Sequence, residues 1–225
     1  MEIDQLTFLD DGAQLFRQAL TSDRLHELRA ALSHLPPDHA GLRLRGIEGL
    51  APFLAARGHV GSCAASVLGE SCRPVRAILF DKTAATNWAL GWHQDRTIAV
   101  KERIPVDGFD IWSIKSGMQH VEPPFALLSG MVTLRVHIDP VPASNAPLLI
   151  APGSHKLGRI AEEDVRDVVR GCGTVACLAE PGDIWLYATP ILHASDAATL
   201  PIHRRVLQVD FSGGELPGGL EWLGI

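Results

Sequence analysis

The sequence predicts a mainly β fold with flanking α-helices, built around a double-sheet jelly roll. Three observations lead there. Helical periodicity is confined to about the first 70 residues, short strand-like runs separated by Pro, Gly and Asn follow from Val75 onward, and two of those runs alternate their side chains between faces. With 225 residues, 46% hydrophobic and 20% charged, the chain is too apolar for disorder and is expected to form one domain over 1–225, its helical part covering about 1–70.

Ser22 is a favourable N-cap for a helix reaching about Leu35, because Leu25, Leu28, Leu32 and Leu35 form one stripe and Pro36-Pro37-Asp38 stops it. A second helical stretch is expected over roughly Ile47 to Leu68. The strand candidates are Arg76–Lys82, Arg96–Val100, Met131–Asp139, Pro147–Ala151, Thr174–Ala179, Asp183–Tyr187 and Arg204–Ser212, with one helix at Ala161–Arg170 between them. In the run from Thr133 to Asp139, Thr133, Arg135, His137 and Asp139 share one face, and Leu134, Val136 and Ile138 the other. In Arg204–Ser212, Arg204, Val206, Gln208, Asp210 and Ser212 oppose Arg205, Leu207, Val209 and Phe211. Such polar faces meet either solvent or a wet cavity inside a barrel; alternation does not separate the two.

Charge excludes some partners. Twenty Lys+Arg against 26 Asp+Glu gives −6 with no basic stripe, so neither nucleic acid nor an anionic membrane is an expected partner. The stretch Ser116 to Arg135 is interrupted by Glu122, Pro123 and Pro124, so no membrane span is expected. The acidic start Met1-Glu-Ile-Asp lacks a signal-peptide pattern, and a cytoplasmic location is expected. Cys63, Cys72, Cys172 and Cys177 fit no zinc spacing and read as free thiols.

The chemistry lies in the histidines, six of which fall from His93 onward. In Trp92-His93-Gln94-Asp95, an imidazole and a carboxylate two positions apart on an extended segment can converge on one ion. Pro181-Gly-Asp183 then opens a strand that leads to His193-Ala-Ser195, and Arg204 begins the next one. Two histidines and one carboxylate on one face of an octahedral ion leave three positions open, the donor set of non-haem Fe(II) oxygenases. A 2-oxo acid takes two of those positions and O2 the third. A planar, permanently charged arginine such as Arg204 suits the acid's distal carboxylate.

The motifs together resemble the phytanoyl-CoA dioxygenase family. They are Asp11-Gly12 before the Ser22 helix, Leu79-Phe-Asp-Lys-Thr83 with Asn87 ahead of His93-Gln-Asp95, Asn145-Ala-Pro-Leu through Pro152-Gly-Ser-His155, Pro181-Gly-Asp183, and His193-Ala-Ser195 with Arg204. The resemblance implies a double-stranded β-helix, cupin-like core. It implies His93, Asp95 and His193 as iron ligands, Arg204 as the 2-oxoglutarate salt-bridge partner, Ser195 beside the same carboxylate, and Asn87 or Lys82 as further polar contacts. The implied cofactors are Fe(II), 2-oxoglutarate as co-substrate, and O2. The implied reaction hydroxylates a C–H bond of a small-molecule substrate and releases succinate and CO2. Halogenating relatives lack the carboxylate ligand; with Asp95 present, hydroxylation or desaturation is favoured. One departure is Ala146, where the family carries glycine before Pro-Leu in a turn that favours positive φ.

His155, in Pro-Gly-Ser-His, reads as a turn histidine rather than a ligand. Arg135, His137, Trp112 and His120 are the candidate substrate contacts, with Lys115 a further one, although core packing is the default for tryptophan. Two other readings stand beside the oxygenase. One is a cupin-like metal-dependent isomerase or dioxygenase that does not use 2-oxoglutarate, and therefore does not need Arg204. The other is a non-catalytic binding domain, against which the intact triad counts.

Overall fold

The computed structural model describes residues 3–36 and 40–225. Among the described residues, six α-helices and thirteen strands follow one another along the chain. First come α1 (Phe8–Asp11), β1 (Ala13–Phe16), α2 (Ser22–Leu32), β2 (Leu42–Leu44), α3 (Ala51–Leu54) and α4 (Gly61–Leu68). Then come β3 (Arg73–Lys82), β4 (Leu90–His93), β5 (Ile98–Val100), β6 (Asp110–Lys115), β7 (Met118–Glu122), α5 (Phe125–Ser129) and β8 (Met131–His137). The chain finishes with β9 (Leu148–Ile150), α6 (Val165–Cys172), β10 (Val175–Cys177), β11 (Ile184–Ala188), β12 (His193–Ser195) and β13 (Arg204–Ser212).

The strands form a six-stranded sheet ordered β1-β11-β8-β13-β3-β2, a four-stranded sheet β10-β9-β12-β4, and a three-stranded sheet β5-β7-β6. Every pairing is antiparallel. The two larger sheets face one another as the expected jelly roll. Leu25, Leu28 and Leu32 of α2, with Leu50 and Leu54, cover the outer face of the large sheet against Leu134, Val136, Leu207, Val209 and Phe211. The apolar faces read from β8 and β13 are therefore the helix-facing ones, and their polar faces point into the barrel.

Local differences from the sequence reading have local causes. Thr21, not Ser22, caps α2: its side chain accepts from the Arg24 amide, and the helix ends at Leu32 with Ser33 as C-cap. Of the expected Pro36-Pro37-Asp38 stop, Pro37 and Asp38 lie outside the described residues. The stretch Ile47–Leu68 is not one helix but α3 and α4 with a reversal between them. That reversal needs glycine, since a Cβ on Gly58 would lie 2.3 Å from the Pro52 carbonyl and one on Gly61 2.0 Å from the Ala55 carbonyl. Helix α6 begins at Val165, not Ala161. All four cysteines are free thiols. Among the described residues, no helix is long and apolar enough to cross a membrane.

The Asp11-Gly12 motif has a packing reason. Gly12 caps α1 in the left-handed region (φ 73°), and the His155 ring lies against it so closely that a Cβ would sit 2.2 Å from Nδ1. Gly12→Ala combines a left-handed alanine with overpacking, so an unfolding titration should show a loss of about 2–4 kcal/mol. A change under about 1 kcal/mol would contradict this packing.

Candidate active site

Register across the large sheet sets out the inward-facing groups in rows. Along β3-β13-β8 these are Arg76–Asp210–Thr133, then Ile78–Gln208–Arg135, then Phe80–Val206–His137, with Lys82 opposite Arg204 at the end. Period-2 alternation turns every one of them to the same side. A cavity of about 380 Å³ lies on this face, closed on the other side by His93 of β4, His193 and Ser195 of β12, and Leu148 of β9.

The metal-binding geometry comes from strand pairing. β4 and β12 are antiparallel with His93 directly opposite His193, which brings the ring centroids to 4.3 Å. Asp95 follows just beyond β4, and one ligand atom from each of His93, Asp95 and His193 lies within 4.8 Å of the others. Both histidines orient by the same device. His93 Nδ1 bonds the Gly91 carbonyl (2.7 Å) and His193 Nδ1 the Ile191 carbonyl (2.9 Å), which leaves each Nε2 as a ligand. Burial holds His193 down at about 4, so its imidazole is neutral and ligand-competent at neutral pH. Between His93 and Asp95, Gln94 points away and is anchored by bonds to the Gly158 and Pro190 carbonyls and from the Ile160 amide.

Asp95 is charged because of Arg76, a residue the sequence reading did not single out. Burial alone would raise the Asp95 carboxyl; Arg76, His193, His93 and Lys115 outweigh it and keep the group below the usual carboxylate range. Arg76 reaches Asp95 with one nitrogen (3.2 Å) and Asp210 with another (2.5 Å), and Thr133 donates to the second Asp210 oxygen (3.0 Å). Period-2 alternation from Lys82 was the available signal, since it puts Arg76 on the cavity face.

The far end of the cavity is cationic. Lys82, Arg135 and Arg204 line it, and among the described lining residues Asp95 is the single carboxylate. Arg204 donates to the Ala146 carbonyl, but its Nε, like that of Arg135, is buried without a hydrogen-bond partner among the described residues. Arg135 bonds Gln208 (2.9 Å) and lies over the Phe80 ring. Burial and Arg135 lower Arg204 to about 9, while burial, Arg204 and Arg135 lower Lys82 to about 8. Buried cations without a counter-charge are costly, and a dicarboxylate such as 2-oxoglutarate supplies one here. The residues present thus fit both groups: a three-donor face for the metal and an anion pocket beside it.

Ser195 lines this end and accepts from Lys82 Nζ (3.2 Å), which also donates to the Trp88 (2.7 Å) and Asp196 (3.0 Å) carbonyls. Lys82 therefore offers charge, its three donors being engaged. Asn87 makes two bonds to the Ala198 backbone and ties two loops together. His137 is buried with neither ring nitrogen hydrogen-bonded. Trp112 packs with the Val100–Val121–Trp222 cluster, and His120 is buried between β5 and β6; neither lines the cavity among the described residues. Ala146 does adopt the left-handed turn (φ 51°), and the strain is held by Arg204 on its carbonyl.

Because Lys82 lies near 8, 2-oxoglutarate binding should take up a proton in alkaline solution. Its Kd is expected to be flat between about pH 6.5 and 7.5 and to rise as pH passes through about 8 and Lys82 loses its charge. A Kd constant up to about pH 9.5 would contradict this assignment.

The phytanoyl-CoA dioxygenase (PhyH) family pattern matches residues 8–206. Among solved structures, EctD from S. alaskensis in its apoform superposes with a TM-score of 0.67 at 19% identity, covering 91% of this chain and 74% of that one. AviO1 from Streptomyces viridochromogenes Tue57 gives 0.64 at 16%, covering 96% and 95%. HygX from Streptomyces hygroscopicus, with nickel and 2-oxoglutarate bound, gives 0.61 at 13%, covering 91% and 84%. No curated protein matches the chain. The match over most of the sequence establishes the lineage: this chain belongs to the phytanoyl-CoA dioxygenase family and is an Fe(II)- and 2-oxoglutarate-dependent oxygenase.

Proposed function

We propose that the chain hydroxylates a C–H bond of a small molecule at a metal held by His93, Asp95 and His193, with the distal carboxylate of 2-oxoglutarate on Arg204. One observation supports this reading above the others: the His93–His193 cross-strand pair with Asp95 adjoins a cavity end whose arginines lack a counter-charge. Bound Fe(II), 2-oxoglutarate and O2 supply the oxidising chemistry, in which substrate gains hydroxyl while 2-oxoglutarate yields succinate and CO2. The chain's own residues do the rest. The Gly91 and Ile191 carbonyls fix the imidazole tautomers, and Arg76 keeps Asp95 ionised. Arg204 and Arg135 hold the co-substrate in one orientation, Ser195 lies beside it, and Ile78, Phe80, Trp88 and Leu148 keep water from the reacting face. The structures of EctD with 5-hydroxyectoine and of HygX with hygromycin B bound support a small-molecule substrate here. Residues 1–225 act as one catalytic domain in this reading, in the cytoplasm.

The test is Fe(II)- and O2-dependent succinate formation from 2-oxoglutarate. Arg204→Ala should raise the 2-oxoglutarate Kd about 10²-fold, with iron affinity retained, because it removes one partner of a buried charge pair. Unchanged 2-oxoglutarate binding in Arg204→Ala would show that another group holds the distal carboxylate, whereas iron binding with no 2-oxoglutarate binding in wild type would favour the cupin-like reading that needs no 2-oxo acid.

A further inference from the structure

Two cations of the same cavity are left over once the metal and co-substrate sites are assigned. Arg43, on the edge strand β2 opposite Ile78 of β3, and Lys115, at the end of β6, both line it. Both feel the charge of Arg76 on β3, and Lys115 that of Asp95 as well, whereas Lys82 and Arg204 mark the other end. Arg76 is neutralised by its two aspartates, but Arg43 and Lys115 form no ion pair among the described residues. Lys115 donates to the Thr97 hydroxyl (3.2 Å), and Arg43 to the Ser116 hydroxyl (3.5 Å). Among the described residues, Arg43 Nε is buried with no hydrogen-bond partner.

Their placement is built rather than incidental. Ser116, which Arg43 contacts, has φ 52°, and Gly117 has φ 75°; this tight turn of the β6–β7 hairpin carries Lys115. The hairpin and the edge strand thus converge from two separate sheets to put two positive charges on one side of the metal triad. Burial lowers both groups from their ordinary values, Arg76 lowers them further, and Lys115 is also lowered by Arg43, with Asp95 offsetting only part of this. Each therefore gains from a counter-anion. A second molecule of 2-oxoglutarate is not needed there, since the Arg135–Arg204 end already takes it.

We propose that Arg43 and Lys115 are specificity-determining residues that clamp an anionic group of the primary substrate, so that this enzyme acts on a small organic acid, a carboxylate or a phosphate monoester. The inference rests on the oxygenase reading of the site. Arg43 offers a planar fork for the anion and Lys115 a mobile point charge, with the Thr97 and Ser116 hydroxyls within reach. The anion would fix the substrate at one end and leave its carbon chain to lie over the triad. The shared cavity of about 380 Å³ must also hold the co-substrate, which keeps that carbon chain short.

The test uses acetate and inorganic phosphate as probes, both small enough to enter whatever the native carbon skeleton. Protein loaded with Fe(II) and saturating 2-oxoglutarate is kept anaerobic, and the visible charge-transfer band confirms that the co-substrate site is filled. Paramagnetic relaxation of acetate 1H and phosphate 31P then reports binding near the iron. The expected result is saturable enhancement whose midpoint weakens about tenfold or more in Arg43→Ala and in Lys115→Ala, and is largely kept in Arg43→Lys. A stronger acetate effect assigns a carboxylic acid, a stronger phosphate effect a phosphate ester. Enhancement that is absent, or that is equal in wild type and both alanine variants, overturns the clamp. Absence of the band itself would instead count against the co-substrate reading, a separate failure.

Discussion

Asp95→Ala should abolish iron binding and succinate formation while leaving the fold intact. Changes one shell away from a metal commonly cost ~10–100-fold in affinity, so loss of a direct ligand should exceed that range. Stability should hold because Arg76 keeps its bond to Asp210, so no buried charge is left alone. Removing the carboxylate also ends its repulsion of Asp210. Metal analysis, activity and thermal unfolding on one preparation separate the outcomes. Retained iron and turnover would show that Asp95 is not a ligand. Loss of both together with a collapsed melting temperature would show a structural role instead.

Arg76→Ala should do the opposite and damage the fold first. It strips the counter-charge from the buried Asp210 and the half-buried Asp95 beside it, and breaking a buried pair costs about 3–5 kcal/mol. The pH dependence gives the mechanism away. Without Arg76, burial and mutual repulsion raise the folded-state pKa of the Asp95–Asp210 pair above its unfolded value. A raised carboxyl contributes stability below that pKa and loses it as pH rises, so the variant should regain stability on acidification from about pH 7 to 5. Wild type has no such recovery from Asp95, which Arg76 holds below the usual range, and only the share from Asp210, which burial already raises, so the variant's gain on acidification should be the larger. A variant equally stable at pH 7 and unresponsive to acid would contradict this role for Arg76.

Much of this arrangement was legible in the sequence, and the limits were physical. Long strands announced themselves: β8 and β13 alternate over seven and nine residues, and their polar and apolar faces are the cavity and helix faces. What alternation could not supply was which face met solvent, because an inward polar row looks the same as an exposed one until the opposing sheet is in place. The strands that carry the histidines were missed as strands. β4 and β12 are four and three residues long, and motif spacing alone marked His93 and His193 there. The β6–β7 hairpin was missed because its turn uses Ser116-Gly117 without flanking alternation, and with it went the setting of Lys115. Arg76 and Arg43 belong to no motif. Each acquires its meaning from a partner far along the chain, Asp210 for one and Ser116 for the other. Asn87 shows the converse: a residue marked by its motif binds the Ala198 backbone, so its part in the site is to hold the loop before β4.

The most direct measurement is an anaerobic titration of metal-free protein with Fe(II) and then 2-oxoglutarate, following the visible charge-transfer band of the chelate. The expected result is a saturable band in wild type, a midpoint shifted about 10²-fold in Arg204→Ala, and no band in Asp95→Ala. Iron binding with no band at any 2-oxoglutarate concentration, or a band of equal midpoint in Arg204→Ala, would contradict it.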